Sequence, residues 1–287
     1  MTMDPRTESL LTTLRALPAQ ALSLTMRSVR AQNDRVFAGP ALVDYAVAVG
    51  VLPERSGGVS VSDAYFVVTA ADGMQVAVSL AEAAPGMSAK PVILATEQDG
   101  VPLEVGVRLV VPEFPGLAGR SVMGVAAIEL RTAPAGGAIP PTSSIALAGL
   151  LERPGAVDTS GFRVEELVEV ETSPDAMGHD GVRLPVRRYS GVPVYRLLDA
   201  AGIRLDPANH EDFLQNIVVA TGADGRAVVI AGGEIEPRFM AGPAIVAVRR
   251  DGQPLDVEEG PARLIVPWDL KPARWARGLV RLDLRRA

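Results

Sequence analysis

The sequence predicts an α+β fold class: two tandem copies of one mixed, strand-rich domain. Three observations predict it. Phe37–Leu103 repeats at Tyr189–Leu255 without a gap, with about 19 identities in about 67 pairs. Short apolar runs broken by Asp-Gly recur in both halves, and a short helical pattern bounded by glycines precedes each set. The repeat sets the expected organisation: a degenerate first copy over 1–131, a linker over 132–142, and a second copy over 143–287.

The elements follow in order. Glu8–Met26 is all that the first copy offers as an opening, so its first strand is expected to be short or missing. Gly39 to Gly50 reads as a short helix. Phe66–Thr69 and Val76–Leu80 flank Asp72-Gly73, a hairpin signal because a type I′ turn needs positive φ. Val92–Thr96 runs into Asp99-Gly100, Arg108–Val111 ends at a proline, and Val125–Leu130 closes the copy. Pro and Gly in Thr132–Thr142 leave little to continue a strand or helix. The second copy opens with Ile145–Leu151 and Phe162–Val170. In Gly191-Val192-Pro193, Pro193 suits the first helical position; Leu197, Leu198 and Ala201 form one apolar face, and Gly202 suits the position just past the helix end. Ile217–Ala220 and Ala227–Ile230 flank Asp224-Gly225. Ala244–Arg249 precedes Asp251-Gly252, and Arg263–Val266 and Leu279–Leu284 complete the copy.

Composition excludes several kinds of chemistry. With 48% hydrophobic and 22% charged residues the chain buries proper cores. A net charge of −6 and 4% aromatics argue against a nucleic-acid or anionic-membrane partner. Cysteine is absent, which excludes disulfides, thiolate nucleophiles, Fe–S clusters and thiolate-ligated metals. The two histidines, His179 and His210, sit in segments that read as surface loops. Arg15 and Pro18 break the apolar stretch at 8–26, and nothing approaches a membrane span. The chain as given reads as cytoplasmic, and as periplasmic if a signal peptide has been removed. The usual hydrolase-elbow, P-loop and dinucleotide-binding glycine motifs do not occur.

The runs LAGLLERPGAVDTSGFRVEEL, YSGVPVYRLLDAAGI, VVATGADGRAVVIAGGEI, RRDGQPLDVEEGPARLIVPWD and RWARGLVRLDL, in that order, resemble the oxidoreductase molybdopterin-binding domain, the central fold of sulfite oxidases. The resemblance covers roughly Ile145–Arg285 and, more weakly, Arg15–Arg131. It implies a sulfite-oxidase-type domain in tandem and a pterin or molybdopterin-like ligand. In enzymes of that family a cysteine thiolate binds molybdenum, and here that ligand is missing. The chain is similar to short stand-alone members, some of which lack the cysteine and are thought to bind a pterin.

Candidate site residues come from the second copy. Arg187, Arg188 and Tyr189 precede the Gly191 helix start, where backbone donors and guanidinium groups suit an anion. Glu234, like Glu82 at the paired position, follows a hairpin and suits the donor edge of an aminopyrimidine. Trp268, Arg274 and Trp275 form the only aromatic and basic cluster, suited to a flat ring; the paired positions in the first copy hold Glu113 or Phe114 and Ser121. The sequence favours a non-redox protein that binds a pterin or a similar small planar anion, with a protein partner also open. Two other functions stay open: a molybdenum-cofactor oxidoreductase without a cysteine ligand, and a structural module whose pockets are lost.

Overall fold

The computed structural model describes residues 4–27, 32–53, 59–112, 120–175, 182–209, 211–239 and 242–287. His179, His210, Glu113 and Phe114 lie outside them. The N-terminal half contains α1 (Pro5–Leu14), β1 (Gln20–Arg27), β2 (Gln32–Gly39), α2 (Leu42–Ala48), β3 (Ala64–Ala70), β4 (Gln75–Ser79), α3 (Leu80–Ala83), β5 (Ile93–Ala95), β6 (Glu97–Gln98), β7 (Val101–Pro102), β8 (Arg108–Val110) and β9 (Val125–Thr132). The C-terminal half contains β10 (Ser144–Gly149), β11 (Gly155–Asp158), β12 (Val168–Thr172), β13 (Arg187–Pro193), α4 (Val194–Ala200), β14 (Asn216–Gly222), β15 (Ala227–Ala231), α5 (Gly232–Ile235), β16 (Ile245–Arg250), β17 (Gln253–Pro254), β18 (Arg263–Ile265) and β19 (Leu279–Arg286). The chain is strand-rich.

Among the described residues the C-terminal half builds two sheets and the N-terminal half three. One in each half joins a hairpin to the closing strand, in the order β4-β3-β9 or, with two further strands, β11-β10-β19-β14-β15. The other sheet of the C-terminal half runs β12-β13-β16-β17, with β18 on β16. In the N-terminal half that region splits into β1-β2-β6-β7 and β5-β8, because the segment matching continuous β16 breaks between Ala95 and Glu97.

Local contacts recur at the 152-residue offset. The Asp99 carboxylate accepts from the Val36 backbone N–H at 2.9 Å and pairs with Arg35; Asp251 does the same with Arg188 N–H at 3.0 Å and with Arg187. Leu42 N–H donates to Val92 O, and Val194 N–H to Ala244 O, both at 2.9 Å. Register shifts fall after Thr69 and after Thr221. A Cβ on Gly39 would collide with the Leu94 carbonyl, and one on Gly191 with the Val246 carbonyl. Both positions let two backbones cross closely.

Three expectations need correcting. Pro193 lies at the N-cap, one position before the helix, and Gly202 with φ +80° closes it. Asp72 and Asp224 are not in the left-handed region; only Gly73 and Gly225 are, so these hairpins turn through one glycine. The type I′ pairs are Asp99-Gly100 and Asp251-Gly252, where both residues have positive φ. Finally, the first half does have a full opening strand. β1 pairs with β2 along eight residues. What it lacks is a β10–β11 pair, and α1 occupies the place beside the closing strand. Asp4 caps that helix, Pro5 starts it, and Leu10, Leu11 and Leu14 face the core.

The hairpin strands are apolar on both faces because each lies between two layers. Phe66, Val68, Val76 and Val78 point into the N-terminal core. Their neighbours Tyr65, Val67 and Ala77 meet Ile217, Val219, Ala227, Val229 and Ala231 of the other half. Val218, Ala220, Val228 and Ile230 face the C-terminal core. The period of two puts one set of side chains on each face, and full burial of each large one stabilises by roughly 1.5–3 kcal/mol. The segment after β9 runs beside the β14–β15 turn, with Gly136 N–H on Gly225 O and Ile139 N–H on Ala223 O.

Candidate functional site

Stacking the hairpins face to face brings together the two short helices that follow them. α3 is capped by Ser79, whose hydroxyl accepts from Glu82 N–H at 3.1 Å. In α5, Glu234 reaches back to accept from Ala231 N–H at 2.9 Å. Each glutamate meets an arginine of its own half. Arg120 grips Glu82 with both terminal nitrogens, Nη2 lying 2.7 Å from Oε2. Arg274 does the same to Glu234 at 2.9 and 2.8 Å. The pairs also cross between halves. Arg274 donates to Ser79 Oγ at 3.0 Å, and a Cβ on Gly233 would collide with Arg120.

Arg274 has no exposure at all. It further donates to both oxygens of Asp269, at 2.9 and 2.5 Å, and to Val229 O. Such a guanidinium is a structural centre with every direction used. Glu234 is equally complete. Its Oε1 accepts from Ala231 and Arg274, and its Oε2 from Arg274 and from Trp268 Nε1 at 3.3 Å. A carboxylate has about four acceptor positions, so none is left for a ligand.

Beside this cluster lies a cleft of about 600 Å³ between the halves. Its walls include Trp268, Phe239, Val170, Pro112, Pro243 and Pro267; its polar lining comes from Glu82, Arg120, Glu169, Glu171, Lys90, Glu234 and Asp269. The size and the largely nonpolar walls are those of a small-molecule site. Glu82 opens onto it with a side chain 13% exposed, and among the described residues Arg120 alone bonds its carboxylate. Burial pushes the Glu82 carboxyl above the usual glutamate range; Arg120 opposes the shift, and the Glu234 charge adds to it. For Glu234, burial acts upward but Arg274 outweighs it, so that carboxyl lies below its usual value. Burial also raises Asp269, against the pull of Arg274.

Of the residues expected from sequence, Glu234 and Trp268 line the cleft, and Arg274 lies behind its wall. Trp275 is a core residue: it is buried, donates from Nε1 to Val266 O at 3.0 Å, and stands edge-on to Tyr189. Tyr189 is buried too, its hydroxyl on Glu259. Arg187 is exposed on the Asp251 turn. Arg188 is exposed within 3.6 and 4.0 Å of Glu171 and Glu169. At the α4 start, Val194 N–H donates to Ala244 O, so that donor is not open to an anion. The cleft's lining also counts more carboxylates than cations, a poor match to a planar anion. Arg120 was missed by sequence reasoning, yet a 154-residue offset pairs it with Arg274, as it pairs Gly124 with Gly278. Glu169, Glu171 and Lys90 carried no signal. Among the described residues, no group of His, Asp and Glu is arranged to hold a metal, and no helix is long and apolar enough to cross a membrane.

Residues 166–287 match the family described as the oxidoreductase molybdopterin binding domain. No curated protein matches the chain. Among solved structures, the sulfane dehydrogenase SoxCD from Paracoccus pantotrophus aligns at 20% identity and a TM-score of 0.39. The alignment covers 56% of this chain and 42% of that one.

Proposed function

Taking as premise the match of residues 166–287 to the oxidoreductase molybdopterin-binding domain, we propose that this protein is a non-redox ligand-binding member of that fold, holding a flat, pterin-like ring in the cleft between its halves. The observation that carries the reading is the cleft itself: about 600 Å³, with Trp268 on one wall and the Glu82 carboxylate opening onto it. Trp268 supplies a stacking face, and Glu82 accepts from the N–H edge of the ring. Glu234, Arg274 and Asp269 hold the walls in place and touch no ligand.

A phosphorylated molybdopterin cofactor does not fit these residues. The chain offers no thiolate to a metal, and the cleft's cations are outnumbered by carboxylates where a phosphate would need the reverse. The family match supports a molybdenum oxidoreductase as well as it supports a ligand carrier; the cysteine-free sequence favours the carrier. We also propose that the chain arose by duplication, with copies at 1–131 and 143–287 joined by 132–142. The recurrence of turns, bulges and Glu–Arg pairs supports this.

Calorimetric titration with oxidised and reduced pterin, beside elemental analysis for molybdenum, tests the reading. Saturable pterin binding that Trp268→Ala weakens by roughly 1–2 kcal/mol supports it. Molybdenum at one atom per chain would instead establish the oxidoreductase.

A further inference from the structure

The charge inventory around the cleft carries a second step, which rests on the cleft being a ring site. Behind its wall, three carboxylates (Glu82, Glu234, Asp269) face two guanidinium groups (Arg120, Arg274). Arg274 is shared between Glu234 and Asp269, so among the described residues the cluster, with Glu82 ionised, holds one more carboxylate than guanidinium. Glu82 is the member of this cluster turned to the cleft: the side chains of Glu234 and Asp269 are each 2% exposed, against 13% for Glu82. Glu169 and Glu171 add two exposed carboxylates to the lining, with Arg188 at 4.0 and 3.6 Å from them, and Lys90 lines the cleft as well. Nonpolar walls keep water from screening the inner charge as it does at an open surface.

We propose that the cleft selects a planar ring carrying a positive charge, such as a protonated amino-heterocycle, whose charged edge meets Glu82 while its face lies on Trp268. The bound cation favours the ionised form of Glu82, which burial alone disfavours. A phosphate or carboxylate on the ring meets the surplus of acids and is rejected. The ligand class is therefore a cationic or cation-forming heteroaromatic amine without an acidic tail.

One ring system in three charge states tests this. At about pH 8, 9-aminoacridine is a cation, acridine is neutral and acridine-9-carboxylate is an anion. Each is titrated against the protein while tryptophan fluorescence is followed, with Trp268→Phe to identify the reporting side chain. The cation is expected to bind at least about tenfold tighter than the neutral ring, the anion not measurably, and added salt is expected to reduce the difference. Glu82→Gln is expected to cost the cation about tenfold and to leave the neutral ring unchanged. Should Glu82→Gln not fold, the exposed double variant Glu169→Gln with Glu171→Gln carries the test, with a loss of several-fold for the cation alone. Neutral or anionic rings binding as tightly as the cation, or variants that leave the preference intact, would overturn the charge selection while keeping the cleft as a ring site. Failure of all three rings to bind would remove both.

Discussion

Arg274 has no exposed atom, and its five N–H groups lie within hydrogen-bond distance of six acceptor atoms, on two carboxylates, a hydroxyl and a carbonyl. Its removal leaves Glu234 and Asp269 buried with too little positive charge. Arg274→Met is therefore expected to lose about 3–5 kcal/mol in urea unfolding, the cost of breaking a buried pair. Arg187→Ala, on an exposed pair, is expected to lose less than about 1 kcal/mol. Trp275→Ala is expected to behave like a core truncation, costing about 3–5 kcal/mol without weakening ring binding in the folded protein. Glu82 makes a prediction in pH. Burial raises its carboxyl in the folded state, so the native protein holds a proton that the unfolded chain has lost. Its stabilising contribution is thus complete at acid pH and is lost as pH rises from the usual glutamate range through the raised value. Unfolding of wild type and Glu82→Gln between about pH 4 and 8 should show wild type falling relative to the variant as pH rises. Parallel curves would contradict the assignment.

At the level of elements, the close crossings at Gly39 and Gly191 make the two halves comparable in one experiment. Gly39→Ala and Gly191→Ala each drive a methyl into a neighbouring strand's carbonyl. Losses of about 1–3 kcal/mol are expected for both, of similar size. Gly137→Ala, with open space around it, should stay within about 0.5 kcal/mol. Thermal or urea unfolding reads all three. Strands and hairpins were legible in the sequence because Asp-Gly turns and apolar runs are local signals. The position of Pro193 was misread by one residue because strand β13 runs directly into the helix, and a proline suits either side of that junction. The opening of the first half was also misread. Glu8–Met26 is expected to hold a short or missing strand, whereas Pro5–Leu14 forms α1 and the eight-residue strand β1 follows it at Gln20–Arg27.

Across the whole molecule, the site was only half legible. Glu234, the paired Glu82 and Trp268 stand out in the sequence, but the cleft also needs Arg120, and it brings Glu82 and Arg120 from the other half, more than 100 positions away. Which glutamate is saturated depends on Trp268 and Ala231 donors that only the folded chain assembles. The shared layer of Tyr65, Val67, Ala77, Ile217 and Val229 also ties the halves into one unfolding unit. Both tryptophans lie in the C-terminal half, so tryptophan fluorescence reports that half and far-UV circular dichroism reports both. The two thermal transitions are expected to coincide; a separate earlier transition in circular dichroism would show that the halves unfold independently. The central claim, a ring site between the halves, is tested most directly by a crystal structure of the protein grown with pterin. The account predicts ring density on the face of Trp268, with an N–H edge within hydrogen-bond distance of the Glu82 carboxylate. Density against the exposed Arg187–Arg188 edge, or a cleft holding only water at saturating pterin, would contradict it.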